Sequence, residues 1–234
     1  MADSGALLAD LWPLAAVVVR TPRLELRWPS MDDLVALAAL AAEGVHEEDK
    51  MPFYTPWTRG TPMERARNVL RWNWKGWGQW DPDKWSWGAV TVVDGVVVGT
   101  QGMQATDYGV CRTVETGSWL GRAHQGQGIG KEMRGAMLHL AFAGLDAETA
   151  TTGAFSANAA SLGVTPLGYR ENGAKHHSVE GRRVRELMFT LDRTTWEQTR
   201  REDITLEGVE AARPLFGLPE DTDTPEVEAP EASG

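Results

Sequence analysis

Cysteine is almost absent: the 234-residue chain has one, Cys111. A single thiol excludes an internal disulfide and fits a reducing compartment, so the expected localisation is cytoplasmic. No sequence signal pairs Cys111 with a base, and it reads as a small buried hydrophobe rather than a nucleophile. Long apolar runs are lacking too. Residues 14–19 form a short one, follow Asp10 and Pro13, and have no basic stretch before them, which fits neither a signal peptide nor a membrane span. Basic excess is the third absence. The formal net charge is −10, and residues 219–234 hold six acids, three prolines and no Lys or Arg. Without those six acids the chain has 23 basic against 27 acidic side chains. The tail is expected to be a disordered appendage, and an acidic chain without a basic stripe does not fit nucleic-acid binding. No internal repeat is visible. The length suits one domain, which we place at 21–195, between an N-terminal extension (1–20), a C-terminal extension (196–218) and the acidic tail (219–234).

Tryptophan is abundant instead. Six of the eleven lie between Trp72 and Trp87, and rings at that density are expected to be mostly core. Within residues 17–28, Leu24, Leu26 and Trp28 alternate as a strand does, after a break at Thr21-Pro22. Ser30 with Asp33, and Thr61 with Pro62 and Glu64, mark two helix starts; the first helix runs to Glu43 and stops at Gly44. Two alternating runs around Asp94-Gly95 predict a hairpin. A strand follows over 113–120, with Glu115, Gly117 and Trp119 on one face and Thr116, Ser118 and Leu120 on the other. A helix over 131–145 buries Met133, Ala136, Met137 and Leu140. The remainder reads as a strand (148–155), a short helix (157–167) in which Pro166 forces an early end, and a hairpin turned at Glu180-Gly181.

The centre of this pattern is Gln125-Gly126-Gln127-Gly128-Ile129-Gly130-Lys131, between the 113–120 strand and the helix after it. Its glycines leave backbone N–H groups unobstructed at a helix start, where the aligned peptide dipoles add about half a positive charge. That combination makes a cradle for phosphate or pyrophosphate. Two common cradles fail on residues. The dinucleotide fingerprint needs one more residue before its third glycine, and a Walker loop would need glycine at Gln125 and a hydroxyl at Glu132.

The spacing Gln125-x-x-Gly128-x-Gly130 resembles the Q/R-x-x-G-x-G/A motif of the GNAT superfamily of acyl-CoA-dependent N-acyltransferases. The likeness extends over roughly residues 20–192 in element order, and through three local phrases. These are Thr21-Pro22-Arg23-Leu24, Glu115-Thr116-Gly117-Ser118-Trp119-Leu120-Gly121, and Asn158-Ala159-Ala160-Ser161 leading to Leu167-Gly168-Tyr169. All three look like the RimJ/RimL-type branch. The resemblance implies an α/β GNAT fold: a mixed, mostly antiparallel sheet with splayed central strands flanked by helices. It implies acetyl-CoA as co-substrate, with succinyl-CoA as an alternative, and a small-molecule amine or a protein amine as acceptor. It implies no metal and no membrane partner, and allows a homodimer. A non-catalytic acyl-CoA-binding regulator remains a competing reading.

By the same resemblance, the backbone of Gln125, Gly126, Gln127, Gly128, Ile129, Gly130 and Lys131 is expected to bind the pyrophosphate. Trp119 and Leu120 would bind the pantetheine and thioester carbonyl, and Asn158 would stand at the start of the next helix, at the cofactor. Glu115 is the candidate base, directly or through water, about 13 Å along its strand from Trp119. Ser161 is the candidate proton donor to the departing thiolate, with Tyr169 as a weaker substitute. His176 and His177 read as acceptor-site rim or plain surface. His46, among Glu47, Glu48 and Asp49, reads as a solvated cluster or the mouth of a cationic site.

Overall fold

The computed structural model describes residues 4–155 and 167–219. Asn158, Ser161, most of the expected short helix and nearly all of the acidic tail lie outside the described residues.

After a first helix, α1 (Ser4–Leu11), two adjacent local signals fold together. Residues 17–28 form a hairpin about the Thr21-Pro22 break: β1 (Val18–Arg20) pairs antiparallel with β2 (Leu24–Arg27). The reason is Thr21. Its hydroxyl accepts from the main-chain N–H groups of Arg23 and Leu24, which closes the chain on itself where Pro22 cannot pair. The two helix starts form as the residues demand. Ser30 and Asp33 make a reciprocal capping box on α2 (Met31–Glu43), and Thr61 and Glu64 make another on α3 (Pro62–Gly78).

Strands β3 (Lys84–Val93) and β4 (Val96–Thr106) form a long hairpin at Asp94-Gly95, where both residues take positive φ as a tight hairpin turn requires. A short helix, α4 (Tyr108–Cys111), leads into β5 (Thr113–Leu120). Cys111 is exposed at the end of that single turn, not buried. Its turn points the thiol away from the core, which Tyr108 fills instead. Next come α5 (Ile129–His139), extended by a wider turn over Leu140–Gly144, and β6 (Thr149–Phe155). The hairpin of β7 (Arg170–Val179) and β8 (Arg182–Asp192) precedes α6 (Arg193–Thr199), β9 (Thr205–Glu207) and α7 (Val209–Ala212).

Among the described residues, nine strands form one sheet in the order β7-β8-β6-β5-β4-β3-β2-β1-β9. Every neighbouring pair is antiparallel except β5 with β6. Helix α5 covers one face over the larger core, which includes Trp85, Trp87, Met133, Met137 and Phe216. Helices α2 and α3 cover the other face over Leu37, Ala41, Val69, Val90 and Val92. Residues before 21 and after 195 join the larger core, with Leu14, Val17 and Phe216 completely buried. Of the clustered tryptophans, Trp85 and Trp87 are buried, while Trp72 and Trp74 are 66% and 48% exposed on α3.

Candidate functional site

The parallel pair is where the sheet opens. Ladder pairing between β5 and β6 ends at Glu115 with Thr151, although β5 continues to Leu120 and β6 to Phe155. Beyond that point the two strands part. On its other edge β5 stays paired with β4 as far as Leu120 with Gly99. The Gly121 N–H donates to the Val98 carbonyl, so by alternation the odd-numbered residues of β5 turn their main chain toward β4. The main-chain groups of Ser118 and Leu120 therefore face the gap, and those of Trp119 face β4. Ser118 is the residue that sequence reasoning missed here. Alternation from Gly121 is the signal that finds it.

The glycine loop stands at the open end of this gap. Gly126 and Gly128 have φ of 73° and 79°, values that side-chain-bearing residues rarely adopt. A Cβ at Gly126 would meet nothing within 4 Å, and one at Gly128 only the Arg23 guanidinium at 3.5 Å. The main-chain N–H groups from Gly126 to Lys131 find no acceptor among the described residues. They form an open array of donors at the start of α5.

Two clamps hold that loop. The Gln125 side chain donates from Nε2 to the carbonyls of Val45 (2.7 Å) and Leu120 (2.9 Å), tying the loop to the end of β5 and the exit of α2. Beneath the loop, Glu132 accepts from the Thr21 hydroxyl (2.6 Å) and from Arg23 Nε (2.6 Å), while Arg23 also reaches the Gln127 carbonyl (3.4 Å). Burial alone would raise the Glu132 pKa, but the Thr21 and Arg23 contacts outweigh it, and the carboxyl titrates below its ordinary value. The Thr-Pro-Arg-Leu phrase thus acts as the underside of the cradle.

At the apex of the gap, on the α5 side, lies Arg134. Its guanidinium donates to the hydroxyls of Thr116 (3.2 Å), Thr152 (2.8 Å) and Ser118 (3.1 Å). The Tyr169 hydroxyl is 3.3 Å from that of Thr116. Burial pushes the Tyr169 phenol up, against the pull of Arg134 and Thr116, so it keeps its proton.

On the opposite face, Glu115 is exposed and accepts from Gln104 Nε2 at 3.3 Å. The 46–60 loop crosses the open end of the gap on this side. Its Trp57 packs on Trp119 of β5 (ring centroids 5.5 Å apart), and its Tyr54 stacks on His177 of β7 (5.6 Å). Its Arg59 pairs with Glu180 at the β7–β8 turn through two bonds, at 2.7 and 3.0 Å. His46 serves this loop by bonding the Thr58 hydroxyl at 2.6 Å. Under the crossing, His177 Nε2 lies 2.7 Å from Glu186 Oε2, with 28% and 15% of the two side chains exposed. Phe155, at the end of β6, lies beside them. A carboxylate only accepts, so in the neutral imidazole Nε2 is the protonated nitrogen and Nδ1 the acceptor. The register places His177 opposite Val184 and one diagonal step from Glu186, a contact that the Glu180-Gly181 turn makes deducible from sequence.

Residues 23–166 match the Acetyltransferase (GNAT) domain. The chain belongs to the GNAT acetyltransferase family. Solved structures of that fold superpose at low identity. Mycobacterium smegmatis RimJ in complex with CoA-disulfide gives a TM-score of 0.65 at 19% identity, over 78% of this chain and 90% of that one. RimL, a ribosomal L7/L12 alpha-N-protein acetyltransferase in complex with coenzyme A, gives 0.59 at 18% identity, over 75% and 97%. A GCN5-related N-acetyltransferase from Brucella melitensis gives 0.60 at 16% identity, over 77% and 80%. The expected GNAT sheet with its parted central strands is the one observed. Among the described residues, no helix is long and apolar enough to cross a membrane.

Proposed function

We propose that this GNAT acetyltransferase moves an acyl group, acetyl in the first instance, from acyl-CoA to a primary amine by direct attack in a ternary complex. The observation that carries this reading is the open array of N–H groups from Gly126 to Lys131, set at the mouth of the gap between β5 and β6. The residues present fit CoA on two counts. No side chain blocks Gly126 or Gly128, and the alternation of β5 turns the main-chain groups of Ser118 and Leu120 into the gap, where an amide-bearing arm would find them. Acyl-CoA supplies an activated thioester carbonyl.

The chain's own residues would do the rest. The cradle neutralises the pyrophosphate. Main-chain N–H groups of Ser118 and Leu120 face the gap, where a single preorganised donor to developing oxygen charge is worth roughly 3 kcal/mol of barrier. His177, oriented by Glu186, takes the proton from the attacking amine at Nδ1, with Glu115 as the second candidate base. The Tyr169 phenol, 3.3 Å from the Thr116 hydroxyl at the apex, is a candidate proton donor to the departing thiolate, and Ser161 keeps its sequence-derived candidacy. A primary amine, on a small molecule or a protein, suits the acidic loop residues Glu47, Glu48 and Asp49.

The test is calorimetric titration with CoA and acetyl-CoA, followed by thiol-release assays over a panel of amines. Micromolar binding with turnover on at least one amine supports the reading. Binding without turnover on any amine favours a regulator, and absence of binding ends both.

A further inference from the structure

Among the described residues, four charged side chains are buried to 9% exposure or less: Asp33, Glu132, Arg134 and Arg213. Three of them face an opposite charge. Asp33 meets Arg27 at 2.6 Å, Glu132 meets Arg23 at 2.5 Å, and Arg213 meets Asp146 at 2.9 Å. Arg134, 8% exposed, makes no ion pair among the described residues. It is held by the hydroxyls of Thr116, Thr152 and Ser118, with the Tyr169 phenol beside it, and all of these are neutral. A neutral side chain could brace those hydroxyls at less desolvation cost, since a buried charge without a counter-charge is the expensive case.

Position sharpens the point. Thr116 and Thr152 are the first residues beyond the last ladder pair, Glu115 with Thr151, so the guanidinium sits where the strands begin to part. Arg134 follows Gly130 by one helical turn, so α5 holds the donor array at its start and a fixed cation one turn further in. The hydroxyls around the cation are rotors. Those of Thr152 and Thr116 give their protons to the Thr116 and Thr151 carbonyls, while that of Ser118 has no acceptor among the described residues and could turn its proton to an incoming anion.

We infer that Arg134 is the recognition group for a carboxylate at the free end of the acyl chain, so that the preferred donor is a dicarboxylic acyl-CoA such as succinyl-CoA. This rests on the acyl-transfer reading above and names the substrate class of that site. A thioester carbonyl is neutral and is served by the main-chain donors of Ser118 and Leu120. A carboxylate matches the guanidinium fork with two parallel bonds, which is the use to which buried arginine is best suited. The CoA thiolate is the other anion that forms in the gap, and free CoA in the experiment separates it from the acyl carboxylate.

Calorimetry should compare succinyl-CoA, butyryl-CoA, acetyl-CoA and free CoA on the wild type, Arg134→Met and Arg134→Lys. Butyryl-CoA matches the chain length without the charge. Wild type is expected to bind succinyl-CoA about tenfold or more tighter than butyryl-CoA, as a charge-assisted bidentate contact requires. Arg134→Met should bring the two within about twofold while free CoA binds as before, and Arg134→Lys should retain part of the preference. Equal binding of succinyl- and butyryl-CoA by the wild type overturns the inference, and needs no variant to fold. So does a preference that survives Arg134→Met, or a loss of affinity in that variant that falls on free CoA alone. Failure of every CoA form to bind would remove the acyl-transfer reading and this inference together. Tight CoA with no acyl preference removes only this one.

Discussion

Arg213 and Arg134 are buried to nearly the same degree, 9% and 8% exposed, and they are built differently. Arg213 donates to the buried Gly144 carbonyl (3.0 Å) and to Asp146 (2.9 Å), joining the chain's C-terminal residues to the end of the α5 extension. Each of those contacts holds two parts of the backbone together. Arg134 touches hydroxyls on strands that are parting. The first arginine is matched by an opposite charge, whereas the second is held by neutral hydroxyls alone. Residues of the first kind should govern stability and leave ligand affinity alone, and those of the second kind should do the reverse.

The largest effect should come from the site side. Gly128→Trp places a bulky side chain at φ 79° over the donor array. CoA affinity should fall about 100-fold or more, because the backbone can no longer approach the pyrophosphate. The melting temperature should fall only modestly, as one residue forced into a left-handed conformation costs about 1–2 kcal/mol. A Gly128→Trp variant that binds CoA normally would show that the loop is a helix entry and nothing more.

The two arginines can then be set against each other. Arg213→Met strands the Gly144 carbonyl and should cost about 2 kcal/mol, with the ion-pair part discounted because Asp146 is half exposed and water replaces its partner. Arg134→Met removes an uncompensated buried charge and should change the stability of the unliganded protein by less than about 1 kcal/mol in either direction. Denaturant melts of both variants decide this. A larger loss from Arg134→Met than from Arg213→Met would make Arg134 a structural tie.

What the sequence discloses divides along the same line. The capping pairs Ser30/Asp33 and Thr61/Glu64, the Asp94-Gly95 turn and the glycine loop were legible because each is a local arrangement of a few residues with its own chemistry. The mixed sheet with parted central strands followed from resemblance rather than periodicity. Arg134 stayed hidden because its burial depends on hydroxyls from β5 and β6, one before it in the chain and one after, and no local spacing marks them. Cys111 was misread because α4 ends after a single turn, which a small apolar residue does not reveal. His177 lay within reach, since the register fixed by the Glu180-Gly181 turn sets it diagonal to Glu186. Asn158 and Ser161 fall outside the described residues and keep the standing that sequence gives them.

Glu132 is two residues from Arg134 on the same helix, and it sharpens the contrast at smaller scale. Its pKa in the folded chain is lowered, so its contribution to stability is present above the unfolded glutamate value and is lost as pH falls through the lower, folded one. Glu132→Gln should cost about 1–2 kcal/mol at neutral pH by weakening the bonds from Thr21 and Arg23. It should also flatten the acid limb of the stability profile below about pH 4.5. An unchanged acid limb would mean that the clamp carries no charge-dependent stability.

The smallest effect tests burial of a group that carries no charge at neutral pH. His139 is 5% exposed, packs edge-on against Trp196 at 5.8 Å, and has a buried Nδ1 with no partner among the described residues. Burial, with Arg200 adding to it, lowers its pKa. The folded protein therefore holds the neutral imidazole, while the unfolded chain takes up a proton below about pH 6.5. The sign follows from linkage: the unfolded state binds more protons there, so stability falls as pH drops through that value. Wild type should lose up to about 1 kcal/mol between pH 7.5 and pH 5.5 from this residue, and His139→Leu should lose less over the same interval. Urea melts at the two pH values measure it. Equal losses in both proteins would place the acid sensitivity elsewhere. A smaller loss in His139→Leu, with CoA affinity unchanged at both pH values, would put His139 with Arg213 among the residues that hold the fold and leave the gap to its ligand.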